Sequence, residues 1–397
     1  MLPRWAAQAS ASRIIFSLTS VLSRGTNNVL SINPPLKGFG ETSLEFPLKA
    51  GLNSITKGCF PGNNSQIYQG ILFQSRNRPM KEIPSIDLNF GSGPSVQAVK
   101  GIRAACSETG FFSIVNHGLS EEVLNSCWQD AQDFFNLPEG EKLKTAVPYA
   151  GYPYGFVPME QETLAHSRGE KAAPDLKESF SVGPGNKLSA ELSEDEAKFV
   201  FSENRWPLKP AGFQENWQNA YQALTECASR LMELFALALD LPESWFKPYF
   251  QRPISAMRAN HYPVAEHPHQ PGQFRASAHS DYGSLTLLLQ DRGGSGLEIL
   301  NRQQQWIPIN CTNPEIVVNI GDLMERWTNG LWVSSLHRVI LPESREERIT
   351  PRMSLVFFQQ PDWDARIDCL PSCLGTNGAQ YKTVTSGRYL MERYRST

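Results

Sequence analysis

Two histidines and one aspartate are the residues whose types and spacing are best suited to chemistry. His279 and Asp281 stand two positions apart, so on an extended strand both side chains point to the same face. His337 lies in another short apolar run that we expect to form a strand. Two histidines and one carboxylate hold non-haem Fe(II) and leave coordination positions open for oxygen. Taken alone the pattern is weak, because a His-x-Asp pair can occur on any exposed strand and a single histidine is more often a core or surface residue.

Arg352 and Ser354 form a second pair with chemical potential. They begin the apolar run that continues through Leu355 to Phe358, which is typical of a strand. On a strand the guanidinium and the hydroxyl share a face, and together they can bind a carboxylate. The alternative is a surface salt bridge at the start of a strand.

The elements that must position these residues fall into two regions. From about Ile83 the pattern predicts a short strand, a helix capped by Ser95, a strand at Phe111 to Val115 and a helix capped by Ser120. Beyond about residue 255, short alternating runs separated by turn residues favour a β-sandwich or barrel. These runs are Ser284 to Gln290, Leu297 to Leu300, Ile316 to Ile320, Leu336 to Leu341 and Ser354 to Gln359. A final helix is predicted from about Thr385 to Tyr394.

Composition argues against several classes of protein. Of the 397 residues, 40% are hydrophobic and 19% are charged, and 37 basic residues nearly balance 40 acidic ones. A wholly disordered chain or a strongly charged nucleic-acid binder does not fit this composition. The most apolar helical stretch, Ala223 to Leu241, contains four charged residues, which indicates a core helix rather than a membrane span.

The amino-terminal stretch has a composition of its own. Residues 1 to 40 contain no Asp or Glu, four basic residues and six serines, which is the composition of an organelle transit peptide. The alternative is a disordered tail that happens to lack acids. Residues 41 to 80 are typical of a linker. We expect a mitochondrial or plastid location if the first segment is a transit peptide, and a cytoplasmic one otherwise.

Several motifs occur in an order that identifies a family. They are Ala104 to Leu119 (AACSETGFFSIVNHGL), Asn260 to Pro263 (NHYP), His279 to Asp291 (HSDYGSLTLLLQD), Asn319 to Leu323 (NIGDL), His337 to Val339 (HRV) and Arg352 to Ser354 (RMS). In this order the chain resembles the Fe(II)- and 2-oxoglutarate-dependent dioxygenases of the isopenicillin N synthase-like group over about residues 81 to 397.

The resemblance assigns roles to seven residues. It implies that the iron ligands are His279, Asp281 and His337. It implies that the residues at the 2-oxoglutarate site are Arg352 and Ser354, which bind the distal carboxylate, and Asn260 and Tyr262, which line the site. Arg348 is a rival carboxylate ligand, because the gap between His337 and Arg352 is longer than in many relatives. We prefer Arg352, since an apolar strand follows it directly whereas Arg348 lies in a charged, turn-like stretch.

Other residues have more than one interpretation. His261 would face away from Asn260 on a strand and is expected to pack or to lie at the surface. Arg275 would face the same side as the ligands if the strand extends that far, either in contact with substrate or in a supporting salt bridge. The aromatic residues Phe180 and Phe357 either line the substrate pocket or belong to the core. The remaining expectations are an exposed loop for His267 and His269, and core positions for Trp306, Trp327 and Trp332.

The resemblance also implies a fold and a reaction. We expect a mainly β protein with flanking helices, in which an α/β amino-terminal domain (residues 81–200) precedes a helical bridge and a jelly roll, or double-stranded β-helix (201–397). The enzyme would convert 2-oxoglutarate and O2 to succinate and carbon dioxide while it hydroxylates or desaturates a small organic molecule. Ascorbate dependence, a monomeric state and no nucleic-acid or membrane partner are further expectations. The alternatives are an iron oxidase of the same fold that does not use 2-oxoglutarate, and a catalytically silent binding protein.

Overall fold

A computed structural model of the chain describes residues 82–89, 95–185, 193–264, 270, 272–291, 296–310, 315–342 and 344–396. The predicted transit peptide and linker, and the predicted loop with His267 and His269, lie outside these residues. Among the described helices, none combines the length and the apolar character needed to cross a membrane.

Strands dominate the carboxyl-terminal half and helices flank them. The strands are β1 (Ser85–Asp87), β2 (Phe111–Val115), β3 (Gly155–Val157), β4 (Glu178–Val182), β5 (Ala256–Tyr262), β6 (Ala276–His279), β7 (Leu285–Gln290), β8 (Leu297–Leu300), β9 (Trp306–Pro308), β10 (Ile316–Ile320), β11 (His337–Val339), β12 (Arg352–Gln359), β13 (Arg366–Ile367) and β14 (Val384–Thr385). The α-helices are α1 (Val96–Glu108), α2 (Glu121–Phe135), α3 (Glu139–Lys142), α4 (Glu194–Lys198), α5 (Phe213–Ala238), α6 (Asp322–Trp327), α7 (Arg345–Arg348) and α8 (Ser386–Arg395).

Two sheets face each other around the residues of interest. The large sheet has eight strands in the order β1-β2-β10-β7-β12-β5-β4-β3, and the small sheet has four in the order β6-β11-β8-β9. Apolar side chains from both sheets form one buried cluster, which includes Phe111 and Val317 of the large sheet and Ile299 and Val339 of the small one. This is the two-layer arrangement of a jelly roll.

The amino-terminal segment extends the large sheet instead of forming a separate layer. Strand β1 pairs in parallel with β2, and β2 pairs antiparallel with β10. The helices α1 and α2 begin where the sequence predicts, because the hydroxyls of Ser95 and Ser120 accept hydrogen bonds from the backbone N–H groups of Ala98 and Val123. Both helices pack against α5, whose buried face belongs to the largest apolar core.

The aromatic residues divide between the core and the surface. Trp327 and Trp332 are almost completely buried, as predicted. The expectation that Trp306 is a core residue is wrong: it is half-buried, and the guanidinium of Arg338 lies 4.0 Å from the centre of its ring. Residue Trp306 begins the short strand β9 at the edge of the small sheet, where a side chain can be covered by a neighbouring cation instead of by a second apolar layer.

Gly110 is expected to be essential for the connection between α1 and β2. Its φ is +70° and a Cβ atom there would lie 1.9 Å from the carbonyl oxygen of Val333. Gly110→Ala should lower the free energy of unfolding by at least about 2 kcal/mol, because backbone strain and a clash add. Gly151→Ala is the matched control, since Gly151 has a φ of +88° and open space around it. In chemical denaturation, equal losses for the two variants would show that the close contact with Val333 is unimportant.

Candidate metal centre and active-site cavity

The His279, Asp281 and His337 side chains converge at one end of the small sheet. Strands β6 and β11 are antiparallel, and their register places His337 directly opposite His279. The two imidazole centroids are 4.3 Å apart, and Nε2 of His337 is 3.7 Å from Oδ1 of Asp281. One candidate ligand atom from each residue lies within 4.8 Å of the others. Atoms at such separations can share one metal ion.

Asp281 reaches this cluster in a way that differs from the prediction. The sequence places His279 and Asp281 on one strand, but β6 ends at His279 and Asp281 lies two residues beyond it. The backbone N–H of Asp322 donates to the carbonyl of Asp281, at 2.8 Å, and so holds the segment after the strand. The expectation of a single strand was therefore wrong, although the two side chains do converge.

Hydrogen bonds to backbone carbonyls set the orientation of both imidazoles. Nδ1 of His279 is 2.7 Å from the carbonyl oxygen of Ser277, and Nδ1 of His337 is 3.3 Å from that of Ser335. Because a carbonyl can only accept, Nδ1 must carry the proton in each ring. When such a ring is neutral, its lone pair is on Nε2, where it is available to a metal. Burial and the neighbouring His337 lower the pKa of His279 well below its ordinary value, which favours the neutral imidazole.

Asp281 presents one oxygen to the histidines. Its Oδ2 accepts hydrogen bonds from the Thr286 hydroxyl at 2.6 Å and from the Asn319 amide at 2.7 Å, while Oδ1 faces His337. Burial alone would raise the pKa of Asp281, but the positive charge that each imidazole carries when protonated and these hydrogen bonds lower it overall. The group is therefore an ionised, fixed carboxylate. Two imidazole nitrogens and one carboxylate are a donor set that fits Fe(II).

Arg352 and Ser354 lie on the neighbouring large sheet. On β12 they pair with Tyr262 and Asn260 of β5, respectively, and alternate residues of a strand share a face. All four residues line the same cavity as the histidines and Asp281, whose volume is about 200 Å³. The cavity therefore contains all seven residues to which the resemblance assigned roles.

Arg352 has hydrogen-bond donors for which no described residue supplies an acceptor. Its Nη2 donates to Oε1 of Gln290 at 2.8 Å, and its guanidinium lies 5.0 Å from the centre of the Tyr262 ring. Its Nε and Nη1 are buried and have no hydrogen-bond partner among the described residues, and the same is true of Oδ1 of Asn260. A buried cation with free donors requires an acceptor, and a carboxylate suits a guanidinium best.

A second charged group lines the cavity, formed by Glu162, Lys177 and Arg258. Nζ of Lys177 is 2.6 Å from Glu162, and Nη1 of Arg258 is 3.0 and 3.1 Å from the two carboxylate oxygens. Burial would raise the pKa of Glu162, but the two cations outweigh it and bring the pKa to about 2. Two cations and one carboxylate leave one net positive charge on this wall.

The terminal helix α8 completes the cavity. Leu390 and Tyr394 line it, and the guanidinium of Arg393 lies 4.9 Å from the centre of the Tyr282 ring. Arg393 also donates to the carbonyl of Ser167 at 3.0 Å. The helix thus contacts both the residue that follows Asp281 and a short 3-10 helix (Leu164–Arg168) of the amino-terminal region.

The structure shows where four residues with two interpretations lie: His261, Arg348, Phe180 and Phe357. His261 faces away from the cavity: its Nδ1 is 2.8 Å from Glu178 and its ring stacks on Phe135 at 5.0 Å, so the predicted packing role is correct. Arg348 lies half-buried in α7 and is not among the described residues that line the cavity. Phe180 and Phe357 belong to the core.

Arg275 matches neither of its two interpretations. It is buried but does not line the cavity, and no described carboxylate lies within salt-bridge distance. Its Nη2 instead donates to the carbonyl of Thr350 at 3.1 Å.

Some cavity residues were missed by sequence reasoning. Arg258 was detectable, because it precedes Asn260 and Tyr262 at two-residue spacing on the same strand and so shares their face. Tyr282 was detectable as the neighbour of Asp281. Glu162 and Lys177 lie outside the strands, and no local pattern marks them.

Comparison with known proteins identifies the family. The profile of the 2OG-Fe(II) oxygenase superfamily matches residues 253–361, and a profile described as non-haem dioxygenase in morphine synthesis N-terminal matches residues 83–209. The chain is 33% identical over 320 residues to proline hydroxylase buaE of Petromyces alliaceus, covering 78% of this chain and 96% of the relative. It is 30% identical over 334 residues to homoarginine-6-hydroxylase 2-ODD-233 of Oryza sativa subsp. japonica, covering 79% and 96%.

Solved structures agree with this result. The crystal structure of a full-length Neurospora crassa protein in complex with alpha-KG superimposes with a TM-score of 0.69 at 27% identity, covering 79% of this chain and 96% of that one. A 2OG-Fe(II) oxygenase family protein from Caulobacter crescentus gives a TM-score of 0.69 at 29% identity, covering 80% and 99%. The chain therefore belongs to the 2OG-Fe(II) oxygenase superfamily, and the predicted jelly roll is confirmed. It is an oxidoreductase, a dioxygenase that uses Fe(II), 2-oxoglutarate and O2 to oxidise a small molecule.

Removal of the Glu162 charge should destabilise the protein. Glu162→Gln leaves Lys177 and Arg258 buried without a carboxylate, which costs about 3 kcal/mol. The pKa of Glu162 falls from 4.5 to about 2 on folding, so the carboxylate stabilises the fold above pH 5 and this contribution is lost as the pH falls towards 2.

Chemical denaturation of both proteins between pH 3 and pH 8 measures this difference. The stability difference between wild type and Glu162→Gln should be constant above pH 5 and should shrink below it. Glu194→Gln is the control, since Glu194 pairs with Lys198 on the surface and its loss should change little. A difference that grew as the pH fell would contradict the assignment.

Proposed function

We propose that His279, Asp281 and His337 hold the Fe(II) ion of this dioxygenase. The observation that carries the proposal is the convergence of two Nε2 lone pairs and one carboxylate oxygen, each fixed by hydrogen bonds on its other side. These residues supply three ligands and leave coordination positions open for the cosubstrate and O2. The bound iron supplies the oxidising chemistry, and the protein supplies position and exclusion of water.

Arg352 and Ser354 bind the distal carboxylate of 2-oxoglutarate in this proposal, and Asn260 and Tyr262 line its site. The unpartnered Nε and Nη1 atoms of Arg352 support this role. The Gln290 hydrogen bond and the Tyr262 ring fix the guanidinium before the ligand arrives, so little side-chain freedom is lost on binding.

The small-molecule substrate occupies the rest of the cavity, between the metal centre and α8. Its polar part would contact the group formed by Glu162, Lys177 and Arg258. Its apolar part would contact an aromatic wall, whose residues are Tyr282, Phe358 and Tyr394. All six residues line the same cavity. We propose hydroxylation as the reaction, supported by two relatives that are named as hydroxylases.

The protein acts as a monomer without nucleic-acid or membrane partners in this proposal. Support comes from the cavity, to which a single chain supplies all seven predicted residues, and from the near balance of 37 basic and 40 acidic residues. We further propose an organelle location, mitochondrial or plastid, on the basis of the acid-free stretch 1–40. A requirement for ascorbate stays a prediction.

Product analysis tests the proposed reaction. Purified enzyme with Fe(II), 2-oxoglutarate and pools of candidate substrates should form one succinate for each product molecule that has gained one oxygen atom in mass spectrometry. Oxidised product without succinate would contradict use of 2-oxoglutarate, and product that has lost two hydrogens would contradict hydroxylation.

Arg352→Leu should weaken 2-oxoglutarate binding at least about 30-fold, equivalent to about 2 kcal/mol for a charge-assisted contact. Anaerobic titration with 2-oxoglutarate in the presence of metal gives the dissociation constant. Arg348→Leu is the matched control, because Arg348 precedes Arg352 closely in the sequence but does not line the cavity, and this variant should bind as the wild type does. A loss of affinity in Arg348→Leu, with none in Arg352→Leu, would identify Arg348 as the carboxylate ligand instead.

A further inference from the structure

Arg275 is a buried cation that has no carboxylate within salt-bridge distance among the described residues. Only 2% of its surface is exposed. Its Nη2 donates to the carbonyl of Thr350, and its Nε has no hydrogen-bond partner among the described residues. An uncompensated buried charge is costly, so its presence next to an active site suggests a role in function.

The position of Arg275 connects it to the carboxylate-binding residue. Thr350 precedes Arg352 by two residues, and β12 begins at Arg352. The hydrogen bond to Thr350 therefore holds the segment that delivers Arg352 to the cavity. Burial lowers the pKa of Arg275, and the positive charge of Arg352 lowers it further.

One half-buried carboxylate, that of Asp291, acts electrostatically on both guanidinium groups. Oδ2 of Asp291 accepts a hydrogen bond from the backbone N–H of Met353 at 2.8 Å, while its Oδ1 is buried without a partner among the described residues. Burial raises the pKa of Asp291, and the Met353 N–H, Arg352 and Arg275 offset only part of that effect. The carboxylate of Glu347 also acts on Arg275, but Glu347 is exposed and solvent screens its charge. Among the described residues, the two buried cations are therefore compensated only in part, by one half-buried carboxylate and one exposed carboxylate.

We propose that Arg275 is a positioning residue for the distal carboxylate of the cosubstrate, acting through Arg352 without touching the ligand. It fixes the Thr350 carbonyl before β12 and adds a second positive charge that a ligand neutralises only if it carries a distal carboxylate. Arg275 thereby favours a dicarboxylate over a 2-oxo acid with an apolar end. This inference rests on the proposed role of Arg352.

The test compares two ligands that differ only at the distal end. In 2-oxovalerate a methyl group replaces the distal carboxylate of 2-oxoglutarate. The full chain is titrated anaerobically with each ligand in the presence of Fe(II). Arg275→Gln keeps a donor for Thr350 but removes the charge, and should weaken 2-oxoglutarate binding roughly tenfold while 2-oxovalerate binding changes less than about twofold. Arg275→Lys restores the charge and should recover most of the 2-oxoglutarate affinity.

The outcomes separate this inference from the proposed function. Equal weakening of both ligands in Arg275→Gln would show a merely structural role and would overturn the inference, as would unchanged binding of 2-oxoglutarate. Arg352→Leu reports on the proposed function independently: if it binds 2-oxoglutarate normally, the carboxylate site itself is misplaced.

A second variant keeps the inference testable if Arg275→Gln does not fold. Asp291→Asn removes the half-buried carboxylate that acts on both cations and keeps an acceptor for the Met353 N–H. It should tighten 2-oxoglutarate binding about two- to fivefold and leave 2-oxovalerate binding unchanged. Unchanged or weaker 2-oxoglutarate binding in this variant would contradict the proposed excess of positive charge.

Discussion

The pairing of β6 with β11 is the constraint on which the active site depends. This short antiparallel pair places His279 directly across from His337, and the chain that leaves β6 carries Asp281 to the same point. A change of register by one residue would turn one imidazole to the opposite face of the sheet. The apolar cluster between the two sheets stabilises that register, so the core of the jelly roll also fixes the geometry of the proposed metal centre.

Hydrogen bonds around the proposed metal centre orient the side chains that the strand pairing brings together. The carbonyls of Ser277 and Ser335 fix the ring orientation of the histidines, and Thr286 and Asn319 occupy the far oxygen of Asp281. Each contact satisfies a polar atom that does not face the centre. The atoms that remain free all point to one place, and the folded protein orders them before a metal binds.

The sequence was sufficient to predict the positions of site residues that lie on strands or in the ordered motifs of the family. Residues two apart on a strand share a face, so Arg352 and Ser354 were assigned to a common surface before their partners were known. The same rule wrongly places Asp281 on the strand of His279, because the residue at which a strand ends depends on pairing partners far along the chain. The core position expected for Trp306 is wrong for a related reason. Nothing in the local sequence pattern shows that β9 is an edge strand with Arg338 beside it.

Long-range contacts explain what the sequence could not provide. The charged group of Glu162, Lys177 and Arg258 comes from different segments that meet only in the folded chain. The helix α8 was predicted, but its contact with Tyr282 was not. The burial of Arg275, with no carboxylate of the described residues within salt-bridge distance, is likewise a property of the tertiary structure. The family defines the reaction, whereas the cavity walls, where we propose that the substrate binds, are formed by contacts between distant segments of the chain.

Anaerobic titration of the metal-free protein with Fe(II) tests the central claim most directly. The wild-type chain should bind one Fe(II) ion, and single alanine substitutions of His279, Asp281 and His337 should each weaken that binding by at least about tenfold while circular dichroism shows that the fold is retained. One tightly bound Fe(II) ion in all three variants would contradict the claim that these side chains form the metal centre.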